Sequence, residues 1–264
     1  MSTQHRIELP SAQALLITTV FEATRLGPAT GFVVDSKRGP LLITSRHVLT
    51  GRDNDTGQVL AKSAAIPTSV IVRHNGAHQD LQGVDTIMEV LEPLYDGDVA
   101  RWIEHPSLGV RADIAALPLT RTEGVLLRPV SLALEDDAVV CRPTEAVSVI
   151  GFPFGQSGPG QFAIWATGFI ASEPEFLYNG LPVMLIDCRT RAGQSGAPVI
   201  AYRIGYALVE DGPATALRKV DGAVSRFLRV YGGRIRPDSD LGMVWRESAI
   251  QELVEFAESR APAR

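Results

Sequence analysis

The chain contains a serine between two glycines, and this segment restricts what the chain can fold into more than any other. Gly193 and Gly196 lack a Cβ, so the backbone on either side of Ser195 can adopt positive φ angles. Such a turn can direct backbone N–H groups towards a bound carbonyl group, as acyl-transfer chemistry requires. A serine hydroxyl is a weak nucleophile at neutral pH. The hypothesis therefore also needs a histidine that acts as base and an acid that orients it.

The order of these residues along the chain narrows the choice of fold. The five histidines are His5, His47, His74, His78 and His105. None of them follows Ser195, which excludes the α/β-hydrolase order of serine, acid and histidine. His47 follows an apolar run, and Asp113 precedes another. His105 is an alternative base, but it precedes a proline in a polar loop, so we favour His47.

Four blocks of sequence resemble the trypsin-like serine peptidases, in particular the bacterial HtrA-type and glutamyl-endopeptidase-like branch. These blocks are residues 31–34 with 43–48, residues 112–115, residues 149–155 with 167–170, and residues 187–198. A weaker fifth block, residues 230–233, is similar to the strand that lines the primary specificity pocket in that family. A single Gly-x-Ser-Gly match would carry little weight. The order and separation of the blocks make the resemblance specific.

The resemblance implies an all-β, chymotrypsin-like fold of two six-stranded antiparallel Greek-key β-barrels with a C-terminal α-helix. We expect the N-terminal barrel in residues 1–122, the C-terminal barrel in residues 123–245, and the helix and tail in residues 246–264. The apolar residues with a helical period in this last segment are Ala249, Ile250, Leu253, Val254 and Phe256. No appended PDZ domain is recognisable in the sequence.

By the same resemblance, His47 is the general base, Asp113 orients it and Ser195 is the nucleophile. The backbone N–H groups of Gly193 and Ser195 would form the oxyanion hole. This chemistry needs no cofactor and no metal. Gln194 stands where the digestive enzymes carry an aspartate that pairs with a newly formed N-terminus, so we expect other contacts to hold or switch the oxyanion loop.

Four residues are candidates for substrate binding. Val230, Tyr231 and Gly232 belong to the strand that is similar to the wall of the specificity pocket. Arg189 corresponds to the floor of that pocket and would favour an acidic substrate side chain. The alternative, which the sequence leaves open, is that Arg189 turns to solvent or to Asp187.

The composition argues against binding to nucleic acid and against a membrane span, and it favours a cytoplasmic location. The net charge of −5 and the pI of about 5.6 give no electrostatic reason to expect binding to nucleic acid. The chain has no uninterrupted apolar run of about 18 residues, so we expect no membrane span. The N-terminus lacks the apolar core of a secretory signal, and Cys141 and Cys188 are too few for a disulfide framework. We therefore expect a cytoplasmic protein.

Two segments could suggest a metal site, and turns explain both better. Residues 51–57 are rich in aspartate, but an EF-hand would need a glutamate where the chain has Ala64. His74 and His78 are four residues apart, which suits a metal only on a shared helix face. The Asn-Gly pair at residues 75–76 instead predicts a hairpin turn between them.

These observations predict a serine endopeptidase that acts on proteins or peptides. The alternative is a catalytically silent or latent peptide-binding module on the same fold. An esterase on this scaffold would differ only in its substrate. Because the usual aspartate is replaced by Gln194, a regulatory protein partner is also compatible with the sequence.

Overall fold

The structure is a computed structural model that describes residues 7–79, 85–132, 139–211, 214–236 and 238–260. These residues form two antiparallel β structures in chain order, followed by an α-helix. The predicted all-β fold class and terminal helix are therefore confirmed. Within the described residues, no helix is long and apolar enough to cross a membrane.

The first half of the chain forms a sheet that is larger than predicted. Its strands are β1 (Ala14–Phe21), β2 (Thr24–Val34), β3 (Leu41–Thr44), β4 (Ser69–Gln79), β5 (Asp85–Pro93), β8 (Ile103–Glu104), β9 (Ala115–Pro118) and β10 (Val125–Leu126), with β6 (Tyr95–Asp96) and β7 (Val99–Ala100) forming a separate ribbon. The eight strands pair in the order β10-β4-β1-β2-β3-β9-β8, and β5 also pairs with β4. The sequence predicted six strands here. In the described residues the sheet has eight strands, and the pairings among them do not close into a barrel.

Strand β4 explains part of the difference, because it pairs with three strands, β1, β5 and β10. Asn75 and Gly76 continue the strand instead of turning a hairpin. Strand β10 pairs with both of them, and β5 pairs with residues 69–75 and with Gln79. The predicted turn is therefore wrong, since long-range pairing outweighs a local turn preference. His74 is buried on this strand and His78 is exposed. The described residues contain no group of three or more side chains that could hold a metal ion.

The second half of the chain forms a closed six-stranded barrel, as predicted. Its strands are β11 (Ala146–Gly151), β12 (Ile164–Ile170), β13 (Val183–Asp187), β14 (Pro198–Asp211), β15 (Ala214–Arg234) and β16 (Leu241–Arg246). They close in the order β11-β12-β13-β16-β15-β14. Strands β14 and β15 form a long hairpin with irregular pairing at two places. This hairpin accounts for the unusually long stretch between residues 201 and 221.

Three short or terminal helices and one shared core complete the fold. The helices are α1 (Leu9–Gln13), α2 (Arg46–Thr50) and α3 (Glu247–Ser259). The apolar face of α3 packs against a core that contains Phe32 and Ile114 from the first half and Val230 and Trp245 from the second. Ala257 completes that face, whereas the predicted Phe256 is partly exposed. The shared core fixes the two β structures against each other, and the cleft between them contains the candidate site.

Candidate active site

His47 lies on a short helix that follows a fully buried strand. All four residues of β3 are buried, and α2 begins two residues after that strand ends. The helix ends at Gly51, whose φ of 65° is left-handed and whose N–H donates to the carbonyl of His47. Arg46 Nε donates to Glu104 Oε1 at 2.9 Å and so ties α2 to β8. The histidine is thereby held at the edge of the first sheet.

Asp113 binds His47 through both of its carboxylate oxygens. Oδ2 lies 2.7 Å from Nδ1 of the ring, and Oδ1 accepts the backbone N–H of His47 at 2.9 Å. An ionised carboxylate can only accept hydrogen bonds, so Nδ1 carries a proton and Nε2 of the neutral ring is left as an acceptor. Asp113 is nearly buried, between a 3-10 helix and β9. The structure therefore brings the predicted base and acid together.

Charges around His47 favour its protonated form. Burial lowers the pKa of His47, but the charge and hydrogen bond of Asp113, together with the charge of Asp53, raise it by more, so the pKa lies above 6.5. Asp53 lies in the turn that the sequence predicted, where its Oδ1 accepts the N–H and the hydroxyl of Thr56. The imidazole therefore loses its proton at a higher pH than an isolated histidine does.

The two glycines around Ser195 adopt the left-handed conformations predicted from the sequence. The φ angles are 95° at Gly193 and 83° at Gly196. A Cβ at Gly193 would lie 2.4 Å from the carbonyl oxygen of Phe152, and one at Gly196 would lie 2.3 Å from the carbonyl oxygen of Thr30. Both conformation and space therefore require glycine at these positions.

The same turn leaves two backbone donors uncommitted. Among the described residues, neither the N–H of Gly193 nor that of Ser195 donates a hydrogen bond to the protein. The carbonyl of Ala192 accepts the N–H of Phe154 at 2.6 Å. Because the peptide bond is planar and trans, the N–H of Gly193 points away from Phe154. Gly193 and Ser195 also line one cavity, so these N–H groups are placed where an oxyanion could be bound.

Thr30, on β2, holds this turn from the first half of the chain. Its hydroxyl donates to the carbonyl of Gly193 at 2.7 Å and accepts the N–H of Phe152 at 3.1 Å. Its own N–H donates to the carbonyl of Ser195 at 3.0 Å. Thr30 was not among the site residues predicted from the sequence. The only signal was a small polar residue directly before the Gly31-Phe32 block.

Gln194 makes a local contact within the serine turn, and the sequence did not predict this contact. Its side chain is buried, and Oε1 accepts the backbone N–H of Arg191 at 2.8 Å. The backbone N–H of Gln194 donates in turn to the carbonyl of Arg191. These two hydrogen bonds stabilise the serine turn without a buried charge.

Ser195 and His47 face a common cavity of about 280 Å³. Within the part of the chain that the structure describes, no hydrogen bond joins the Ser195 hydroxyl to the His47 ring. Such contacts are often long before a substrate binds. The structure thus forms the His47–Asp113 pair directly and places the serine beside it.

The four predicted substrate-binding residues are placed differently from one another. The Arg189 side chain is exposed, consistent with the alternative in which it turns to solvent. Val230 and Tyr231 are buried, and the Tyr231 hydroxyl lies 2.5 Å from the Thr190 hydroxyl. Burial raises the pKa of Tyr231 to about 12, so the phenol stays neutral. Gly232 lies beside the Trp245 indole. A Cβ on Gly232 would lie 2.8 Å from the indole Nε1.

Comparison with known proteins gives a family match and a fold match. A family model described as a trypsin-like peptidase domain matches residues 29–207, more than half of the chain. No curated protein sequence matches the chain.

Three solved structures have similar folds. A thermostable serine protease, AL20, from an extremophilic microorganism has a TM-score of 0.53 at 12% identity, over 96% of this chain and 100% of that one. A serine-to-alanine mutant of Rv3671c from M. tuberculosis H37Rv, in an inactive form, has a TM-score of 0.51 at 17% identity, over 97% and 90%. The protease Anisep from Arthrobacter nicotinovorans has a TM-score of 0.51 at 15% identity, over 96% and 98%. At these identities the likeness concerns the fold alone.

The contacts of Thr30 lead to a stability prediction. We expect Thr30→Val to lower the free energy of unfolding by about 1–3 kcal/mol, because it leaves the carbonyl of Gly193 and the N–H of Phe152 buried without a partner. Urea denaturation measures the loss. Thr30→Ser keeps the hydroxyl and serves as the matched control, with a smaller loss. Equal stability of Thr30→Val and wild type would contradict the role given to the hydroxyl.

Proposed function

Because the chain belongs to the trypsin-like peptidase family, we propose that it is a serine endopeptidase that hydrolyses peptide bonds through an acyl-enzyme on Ser195. The observation that carries the proposal is the pair formed by His47 and Asp113, which opens onto the same cavity as Ser195 and Gly193. Base, orienting acid, nucleophile and oxyanion donors are then all present at one cleft.

In this mechanism His47 moves the protons. Its Nε2 takes the proton from the Ser195 hydroxyl as the oxygen attacks the scissile carbonyl, and later returns it to the leaving amine. Asp113 keeps the proton on Nδ1 and stabilises the imidazolium that forms. Water then attacks the acyl-enzyme with His47 again as base. The substrate is a protein or a peptide.

The oxyanion hole is supplied by the backbone. The N–H groups of Gly193 and Ser195 donate to the oxygen that becomes negative in the tetrahedral intermediate, and each such donor contributes about 3 kcal/mol. The carbonyl of Ala192 is already bound to Phe154, so the loop needs no rearrangement to present the Gly193 N–H. Preorganised donors of this kind stabilise the transition state without a reorganisation cost.

One observation favours the second candidate, a silent or latent peptide-binding module. The Ser195 hydroxyl makes no hydrogen bond to His47 among the described residues, so the activating contact still has to form. In an active enzyme, this contact would tighten when the substrate binds. In a latent protein, a partner would have to induce it.

The two cysteines bear on the compartment and not on catalysis. Cys141 and Cys188 are free, and burial raises the pKa of both thiols, that of Cys188 to about 11. Thiols of this kind are poor nucleophiles at neutral pH. They are compatible with the proposed cytoplasmic location.

The proposed nucleophile can be tested by labelling. A fluorophosphonate probe is expected to label the wild-type protein, and Ser195→Ala is expected to abolish labelling and to reduce peptide hydrolysis about 10⁶-fold. Ser148→Ala removes a serine from β11 outside the cleft, and it should label as wild type does. Mass spectrometry of the labelled peptide identifies the site. A folded wild-type protein that does not label would instead support the latent module.

The proposed role of His47 predicts a pH dependence of labelling. Protonated His47 cannot accept the serine proton, so the acidic limb of the labelling rate should have its midpoint above pH 6.5. Asp53→Asn removes a charge that raises the pKa of His47, and the midpoint should move to lower pH. Asp55→Asn removes a neighbouring charge that is not among the main causes of this pKa shift, and it should move the midpoint less than Asp53→Asn does. A wild-type midpoint below 6.5 would refute the electrostatic account of His47.

A further inference from the structure

The cavity beside Ser195 points to the class of substrate. Resting on the proposed function, we propose that this cavity binds apolar side chains of the one or two residues that follow the scissile bond, so that the enzyme selects polypeptides with hydrophobic residues immediately after the cleavage site.

Apart from the catalytic groups, Thr19 is the one polar side chain among the described residues that line the cavity. The larger hydrophobic lining residues are Leu26, Pro28, Val48, Leu60 and Pro67, and alanines and glycines complete the lining. Among the described residues that line the cavity, His47 alone has an ionisable side chain. A charged substrate side chain would lose its hydration there without gaining a partner, whereas an apolar one would be removed from water. The volume of about 280 Å³ suits one or two side chains rather than a larger ligand.

The position of His47 shows which part of the substrate enters this cavity. The imidazole must reach the leaving amine to protonate it, so the chain after the scissile bond passes next to the ring. His47 and the following Val48 both line the cavity. The leaving part of the substrate is therefore directed towards the apolar wall.

The loop that carries this wall is held in place by the protein. The N–H of Leu60 donates to the carbonyl of Gly51 at 2.9 Å, and Arg52 forms a β-bridge with Val59. Pro67 packs so closely that a Cβ on Gly51 would lie 2.3 Å from its ring. Leu60 is nevertheless 51% exposed, at the rim of the cleft. A large apolar side chain fixed at this place is available for contact with a substrate.

The opposite side of the nucleophile offers less room. Tyr231 exchanges backbone hydrogen bonds with Gly196 and Ala197, and its buried phenol pairs with the hydroxyl of Thr190. A Cβ on Gly242 would lie 2.6 Å from the same ring. The phenol thus occupies space next to the serine turn. A large substrate side chain therefore has more room in the cavity beside His47.

Cleavage of a mixed peptide library, read by mass spectrometry, tests this inference. For the wild-type protein, we expect Leu, Ile, Val, Phe and Met to be enriched about tenfold over Ser and Asp at the first or second position after the cleaved bond. Leu60→Asp is expected to abolish the enrichment, and Leu60→Ala, which only shortens the side chain, is expected to reduce it. Leu91→Asp places the same charge on an exposed leucine of β5 and should leave the profile unchanged.

Three outcomes would overturn the inference. These are a uniform or charged preference after the cleaved bond, an enrichment that persists in both Leu60 variants, and labelling of Ser195 without cleavage of any peptide. Fluorophosphonate labelling of the wild-type protein separates the two proposals. Labelling and peptide cleavage without apolar enrichment overturn only the substrate class. A folded protein that does not label, or that labels without cleaving any peptide, overturns the proposed function together with it.

Discussion

The hydrogen bonds from His47 to the two oxygens of Asp113 are the interaction on which the rest of the site depends. One oxygen binds the ring at Nδ1 and the other binds the backbone N–H of the same residue. The carboxylate therefore fixes both the tautomer and the position of the helix that carries the imidazole. Without this contact Nε2 would not be committed as an acceptor, and the serine beside it would remain a weak nucleophile.

The serine turn depends on both halves of the chain. Thr30 in the first sheet binds the carbonyls of Gly193 and Ser195, and Tyr231 in the barrel binds the N–H of Gly196. The shared apolar core keeps the two halves at a fixed distance, with the Phe32 and Phe227 rings in edge contact at 5.2 Å. The uncommitted backbone N–H groups of Gly193 and Ser195 are thus held in place by packing that lies well outside the cleft.

The sequence predicted those parts of the structure that depend on the conformational preferences and periodicity of neighbouring residues. The glycines around Ser195 predicted left-handed backbone, and the period of the last apolar residues predicted α3. The Asn75-Gly76 turn failed because strand pairing with distant segments outweighed its local preference. Thr30 was missed for a related reason: its hydroxyl bonds a carbonyl 163 residues away, and such a contact leaves no pattern near either residue.

Nitrogen NMR of the His47 imidazole tests the central claim most directly, because it reports the tautomer and the pKa of one ring in the intact protein. The account predicts that the neutral ring carries its proton on Nδ1 and that its pKa lies above 6.5, with both properties lost in Asp113→Asn. A neutral ring protonated on Nε2 in the wild-type protein, or a pKa below 6.5, would contradict it.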